Sequence, residues 1–406
     1  MSTNFETILQ SDAFFQNPYP VYQQLREESP VYWSEAWGAW VITRYDDVME
    51  VLRDNERFSS AGRVSYLLRQ LPDEALKQVA ALERHYDIGL AHSDPPDHTR
   101  LRALLNRVFT PRMVEARRSR VADVANALID KVMANGQMDI INDLAYPLPA
   151  TIIAEMIGAP KEDIALFRDW AVAINRLFEK GGRISETSAT AAQDSLHIMK
   201  DYITRLVEIR RNDPQDDIIS RLATAEHEAD KLTIAELVST AVTFFVAGHE
   251  TTTNLIGNGM LALLQHPDQM RLLRENPALI NGAVEEMLRY EPSVPRGWRI
   301  VKQNVTLRGQ HIPQGALIFP ILAAANRDPA QFPDPDRFDI QREGNKHIAF
   351  GYGIHFCLGA PLARLEGAVV INTILQRLPE ITLVTDTLNW RHDIAIRSLD
   401  ALPVTF

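Results

Sequence analysis

Cys357 is the only cysteine in the 406-residue chain, and it lies in FGYGIHFCLG, residues 350–359, among three glycines, a histidine and two phenylalanines. A free cysteine is most often a small buried hydrophobe. Here Gly351, Gly353 and Gly359 permit tight or left-handed backbone beside the sulfur. Helix-like sequence begins just after it, so unpaired N–H groups and the positive end of a helix face the sulfur and favour thiolate. A thiolate attacks or binds metal. As a nucleophile, Cys357 has His355 two residues away as a base, but no orienting third group is evident. Zinc needs three more ligands, and an iron–sulfur cluster or a disulfide needs more cysteines. Haem iron takes one proximal thiolate, which a single cysteine supplies.

Three further groups carry chemistry in their spacing. AGHETT, Ala247–Thr252, lies within a long apolar helical pattern, behind Phe244, Phe245 and Val246. A glutamate buried there needs a partner, and Gly248 with hydroxyls able to bond the i−4 carbonyl favours a local opening of the helix. In EEMLRYEP, Glu285–Pro292, Glu286 and Glu285 stand at i,i+3 and i,i+4 to Arg289, and spacing does not choose between them. SDPPDHTRLR, Ser93–Arg102, sets His98 and Arg102 one helical turn apart, a pair able to donate to an anion, with Leu101, Leu104 and Val108 as the core stripe.

With these residues in view, the chain resembles the cytochromes P-450. Their haem-ligand pattern F-x-x-G-x-H-x-C-x-G is met at Phe350, Gly353, His355, Cys357 and Gly359, and the resemblance runs over essentially the whole sequence. It implies haem b (iron protoporphyrin IX) with Cys357 as axial thiolate and His355 against a propionate. AGHETT is similar to the family's A-G-x-[DE]-T, implying that Thr251 hydrogen-bonds the O2 substrate and Glu250 helps deliver protons. The E-x-x-R motif selects Glu286 with Arg289, and Arg337 in FPDPDRFD is implied as the third member of a structural charge network. H-T-R-x-R implies propionate binding by His98 and Arg102, and PRGWRIV adds Arg299.

The elements that must position these residues are mostly helical. TIAELVSTAVTFFVAGHETTTNLIGNGMLALL is the longest helical pattern, opened by Thr233 and Glu236 as a capping box and apolar nearly all round. PVYWSEAWGAWVITRYDD reads as two short strands around Ala36–Gly38, with Asp46 or Asp47 capping the next helix. The fold class is mainly α with a minor β portion. β-rich parts fall near 31–43, 294–322 and 382–406, and the helix-rich part spans about 98–291. No repeat or flexible linker divides residues 1–406, so one domain is expected. The resemblance implies the family's triangular prism, with the long helix over haem.

A net charge of −11 argues against nucleic acid as a partner. MSTNFETILQSDAFFQNPYP carries neither an export signal nor a bilayer-length apolar run, so a cytoplasmic, membrane-free and monomeric protein is expected. No flavin- or nucleotide-binding fingerprint is present, which points to electrons from a separate ferredoxin and its reductase; Arg107, Arg112, Lys346 and Arg364 are candidates for that contact. The activity implied is a haem-thiolate monooxygenase that hydroxylates or epoxidises a mid-sized hydrophobic molecule. The alternatives are a peroxide-driven peroxygenase, a haem-binding sensor without turnover, and a haem-free cysteine enzyme. By family analogy the pocket draws on the 61–90 segment, read as an extra helix, and on Phe244, Phe245, Ala247, Val294, Arg296, Trp298 and Ile394. Arg296 is read as solvent-facing, with anchoring of a substrate carboxylate as the other reading.

Overall fold

The computed structural model describes residues 5–178, 183–224, 232–385 and 387–406. Its axis is the helix Ile234–Gln265, 32 residues and so about 48 Å at 1.5 Å per residue. The capping box forms as the sequence dictates: the Glu236 N–H donates to the Thr233 hydroxyl, and the Thr233 N–H donates to Glu236 Oε2 at 2.8 Å. Pro147–Ile157, Glu186–Asn212, Ile280–Tyr290 and Ala360–Arg377 pack around this central helix. Small residues set the closest approaches. A Cβ on Gly259 would lie 2.7 Å from Met287 Sδ, so any larger residue there would displace the Met287 side chain.

The segment Ile140–Ile157 is long and apolar enough to cross a bilayer, but 67% of it is buried inside the molecule, where it packs on the central helix.

The main sheet has five strands, ordered Val31–Ser34, Ala39–Ile42, Leu317–Pro320, Arg299–Val301, Phe58–Ser59. Ala39–Ile42 and Leu317–Pro320 run parallel; the other pairings are antiparallel. Its register sets Ser59 opposite Ile300 and Phe58 opposite Val301, which brings the start of the 61–92 segment beside Arg299. That segment is three short helices, Arg63–Leu68, Asp73–Gln78 and Ala80–Asp87, rather than the single extra helix expected. The C-terminal strand Pro403–Thr405 pairs with Gln137–Asp139 and Thr382–Leu383.

One capping expectation is corrected. The helix Tyr45–Arg53 has Arg44 at its N-cap, Asp46 and Asp47 lie in its first turn, and the Tyr45 N–H is satisfied from a distance by Asp328 Oδ2 at 2.8 Å.

Candidate active site

The Cys357 loop is shaped by its backbone. Gly351 and Gly353 have φ of 71° and 73°, left-handed values that a side chain disfavours. At Gly353 a Cβ would also lie 2.9 Å from the Leu52 carbonyl oxygen. The Cys357 N–H donates to Phe350 O at 3.0 Å, and Gly359 caps the helix Ala360–Arg377. Phe350 is in turn covered by the Arg364 guanidinium, 4.6 Å from the ring centre. Burial pushes the Cys357 thiol up, while the N–H groups of Gly359 and Ala360 and the guanidiniums of Arg102 and Arg364 pull toward thiolate. Cys357 is exposed, as is its neighbour Phe356. On the central helix Ala247 is exposed and Thr251 partly so, amid otherwise buried turns.

Basic groups gather beside this loop. His98 and Arg299 are buried, and the His98 and His355 rings stand 4.2 Å apart. Arg102 donates to Phe356 O at 2.7 Å, and Arg299 to Trp298 O at 2.8 Å. Burial, then Arg299, His98, Arg63 and Arg102, push His355 down to about 2. Burial pushes Arg299 down to about 10 against the pull of Asp94. Asp94 also accepts from Ser59 Oγ at 2.6 Å and the Ser60 N–H at 2.9 Å. Nε2 of His98 and of His355 have no partner among the described residues. Guanidiniums beside imidazoles with unpartnered ring nitrogens, and so little negative charge, fit the two carboxylates of haem beside a thiolate. Arg63 and His92 belong to the same cluster and escaped the sequence reading, because strand pairing rather than local spacing brings them there.

Along the central helix, Thr251 Oγ1 donates to Ala247 O at 2.7 Å. Glu250 turns elsewhere: its Oε2 accepts from Asn175 Nδ2 at 2.5 Å, and its Oε1 lies 3.6 Å from Arg391 Nη1. Arg391 also donates to Asp400 at 3.0 Å. These four residues border a polar cavity of about 860 Å³ whose lining includes Glu250 but neither Ala247 nor Thr251. Glu250 therefore stands between a polar cavity and the helix face that carries Thr251. Asn175 and Arg391 had no signal in the sequence, since neither belongs to a motif.

The Glu286–Arg289 ambiguity is resolved. Both residues are fully buried, and Arg289 binds both carboxylate oxygens at 2.7 and 2.8 Å. Arg289 also holds the carbonyls of Asn326, Pro335 and Arg337. Glu285 instead pairs with Arg364 and His347; burial raises its carboxyl, but these partners hold it at about 2. Arg337 is corrected: its side chain is largely exposed, 3.6 Å from Asp339, and only its carbonyl joins the network. Arg342 is the second guanidinium on Glu286, 3.2 Å from both oxygens.

The pocket residues divide. Phe244, Val294 and Trp298 are half-buried, Phe244 lies 5.9 Å from Phe109, and Ile394 is buried in the N-terminal apolar cluster. Phe245 is corrected out of the pocket: it is fully buried, 4.7 Å from Phe167, and two residues from Ala247, which at about 100° per residue puts it on nearly the opposite face of the helix. Arg296 is corrected from solvent to interior, where it is buried with its guanidinium 4.0 Å from the Phe319 ring. Arg107, Arg112 and Lys346 are exposed, whereas Arg364 is engaged by Glu285.

The family model described as "Cytochrome P450" matches residues 5–383. The chain is 39% identical over 404 residues to the polyketide biosynthesis cytochrome P450 PksS of Bacillus subtilis, covering 97% of this chain and 96% of that one. It is 41% identical over 400 residues to the cytochrome P450 monooxygenase PikC of Streptomyces venezuelae, covering 96% and 91%. The crystal structure of P450BioI in complex with an acyl carrier protein ligated to hexadec-9Z-enoic acid superposes with a TM-score of 0.89 at 38% identity, over 98% of this chain and 100% of that one. The mainly helical architecture with small sheets, the cysteine loop and the overall likeness agree: this chain belongs to the cytochrome P450 family of monooxygenases.

Proposed function

We propose that the protein is a soluble haem-thiolate monooxygenase that binds haem b through Cys357 and takes electrons from a separate ferredoxin and its reductase. The observation that carries this reading is the convergence on one loop of the lone cysteine and the unpartnered basic groups of His98 and His355. The bound haem supplies activation of O2, which with two electrons and two protons yields one hydroxylated or epoxidised product molecule and one water. Cys357 holds the metal, and the N–H groups of Gly359 and Ala360 stabilise its charge. His98, Arg102, Arg299 and His355 receive the haem carboxylates. Glu250 passes protons from the polar cavity toward the Thr251 hydroxyl, which orients them for delivery. Glu286, Arg289 and Arg342 hold the loop segment below.

The substrate class proposed is a mid-sized hydrophobic polyketide or fatty acyl chain, the kinds named for PksS and for the P450BioI complex. Phe244, Ala247, Val294 and Trp298 supply apolar surface for it. The exposed Arg107, Arg112 and Lys346 offer positive charge to an acidic electron donor. The chain acts as one monomeric unit over residues 1–406, in the cytoplasm. Product formation from a substrate found by spin-state screening tests the reading: it should require NAD(P)H, ferredoxin and reductase. Equal turnover with peroxide alone would make the protein a peroxygenase, and no turnover under either condition would make it a binding protein.

A further inference from the structure

Arg63 is a buried guanidinium without a carboxylate. It is 6% exposed, its Nη1 donates to Trp298 O at 3.2 Å, and its Nη2 donates to Ala91 O and lies 3.3 Å from His92 Nδ1. The guanidinium sits over the Trp298 ring, 4.7 Å from its centre. Its Nε has no partner among the described residues. These contacts hold the group in place, but none of them is to a carboxylate. Its charged neighbours are Arg299 and Arg296, with Asp94 as the one opposing carboxylate, which also serves Arg299 and the Ser59 hydroxyl, and it acts on His92 and His355 in turn. A buried cation beside other buried cations calls for an anion from outside the chain.

We propose that Arg63 is a further donor to the haem carboxylates, joining His98, Arg102, Arg299 and His355, and that it fastens the 61–92 segment to the cofactor. The inference rests on the haem-thiolate reading above. The strand register explains how the residue gets there: Ser59 pairs with Ile300, one residue from Arg299, and the chain turns at Gly62, φ 70°, directly into Arg63. The first of the three short helices thereby starts on the cofactor's carboxylate edge. Arg63 is a positioning residue with two ends, one on the haem carboxylate and one on the carbonyls of Ala91 and Trp298. His92, at the far end of the segment, closes the same clasp.

The test is the rate at which holoprotein gives up haem to excess apomyoglobin. The reduced, CO-bound spectrum of each variant is taken first, so that loss of the thiolate signature is scored against the haem-thiolate reading and not against Arg63. Arg63→Gln should release haem roughly tenfold faster or more, the scale of a lost charge-assisted hydrogen bond, with Arg63→Lys between it and wild type. Release from Arg63→Gln at the wild-type rate overturns the proposal. So does unchanged haem release combined with weaker binding of palmitate alone, which would assign the guanidinium to a substrate carboxylate. Should Arg63→Gln not fold, wild type reconstituted with the haem dimethyl ester gives the same decision. Amide exchange over Arg63–Leu68 should then be faster than with haem, and unchanged exchange there overturns the proposal.

Discussion

His98 and His355 face each other at 4.2 Å, and neither Nε2 has a hydrogen-bond partner among the described residues. One comes from the first turn of the helix Asp97–Val108, the other from the cysteine loop. A buried imidazole and a half-buried one that hydrogen-bond neither each other nor a carboxylate are a poor device for stability. They are a good device for holding a ligand that brings its own carboxylates. His98→Ala and His355→Ala are each expected to raise the rate of haem loss about tenfold. The double variant should show less than the product of the two effects, because both side chains serve one carboxylate edge. Unchanged haem retention in both single variants would contradict this assignment.

Asn175 and Arg391 set where the Glu250 carboxylate rests. Asn175→Ala removes the amide that one Glu250 oxygen accepts from and is expected to lower kcat several-fold with KM unchanged and a larger solvent isotope effect, as for a step limited by proton transfer. A change confined to KM would place Asn175 in substrate binding instead.

Thr251→Ala should keep haem and substrate binding while diverting reducing equivalents from product to peroxide. The hydroxyl now bonded to Ala247 O at 2.7 Å is the group lost. Product formed per NAD(P)H consumed is the measurement, and an unchanged ratio would refute the role given to Thr251.

Glu286→Gln leaves Arg289 buried with its charge unmatched and should cost about 3–5 kcal/mol. Arg342→Ala should also be costly, whereas Arg337→Ala should fall within about 0.5 kcal/mol of wild type, because its side chain is largely exposed and only its carbonyl is used. Urea unfolding of the three variants separates this arrangement from one in which the Arg337 side chain is the third member.

His85 offers a pH test away from the cofactor. It is 2% exposed, and burial, aided by Lys200, pushes its imidazole down to about 3. The folded state therefore refuses a proton that the unfolded state accepts below about pH 6.5. Stability should fall as pH drops from 6.5 toward 3, with His85 contributing about 2 kcal/mol of loss at pH 5. His85→Leu should lose less between pH 7.5 and pH 5 than wild type does; an equal loss would remove His85 as a cause.

The motifs were legible because they lie within short sequence windows. The loop Phe350–Gly359, the helix with Glu250 and Thr251, and the capping box at Thr233 each rest on neighbours a few residues apart. What escaped depends on contacts between distant segments. Arg342 replaces the Arg337 side chain on Glu286 because the loop folds back on itself, and Arg63 reaches Arg299 only through the Ser59–Ile300 pairing. Asn175 and Arg391 meet Glu250 from elements far away in sequence. Phe245 and Arg296 show the same limit in the pocket. Helical periodicity puts Phe245 on a buried turn but does not say which neighbour it packs on, and no local pattern shows Arg296 stacking on Phe319.

The central claim is that Cys357 presents a thiolate to haem iron. The reduced, CO-bound absorption spectrum tests it most directly, compared between wild type and Cys357→Ser. The account predicts a strongly red-shifted Soret band in wild type that disappears in the variant. A wild-type protein that binds haem without that band, or a Cys357→Ser variant that keeps it, would contradict the account.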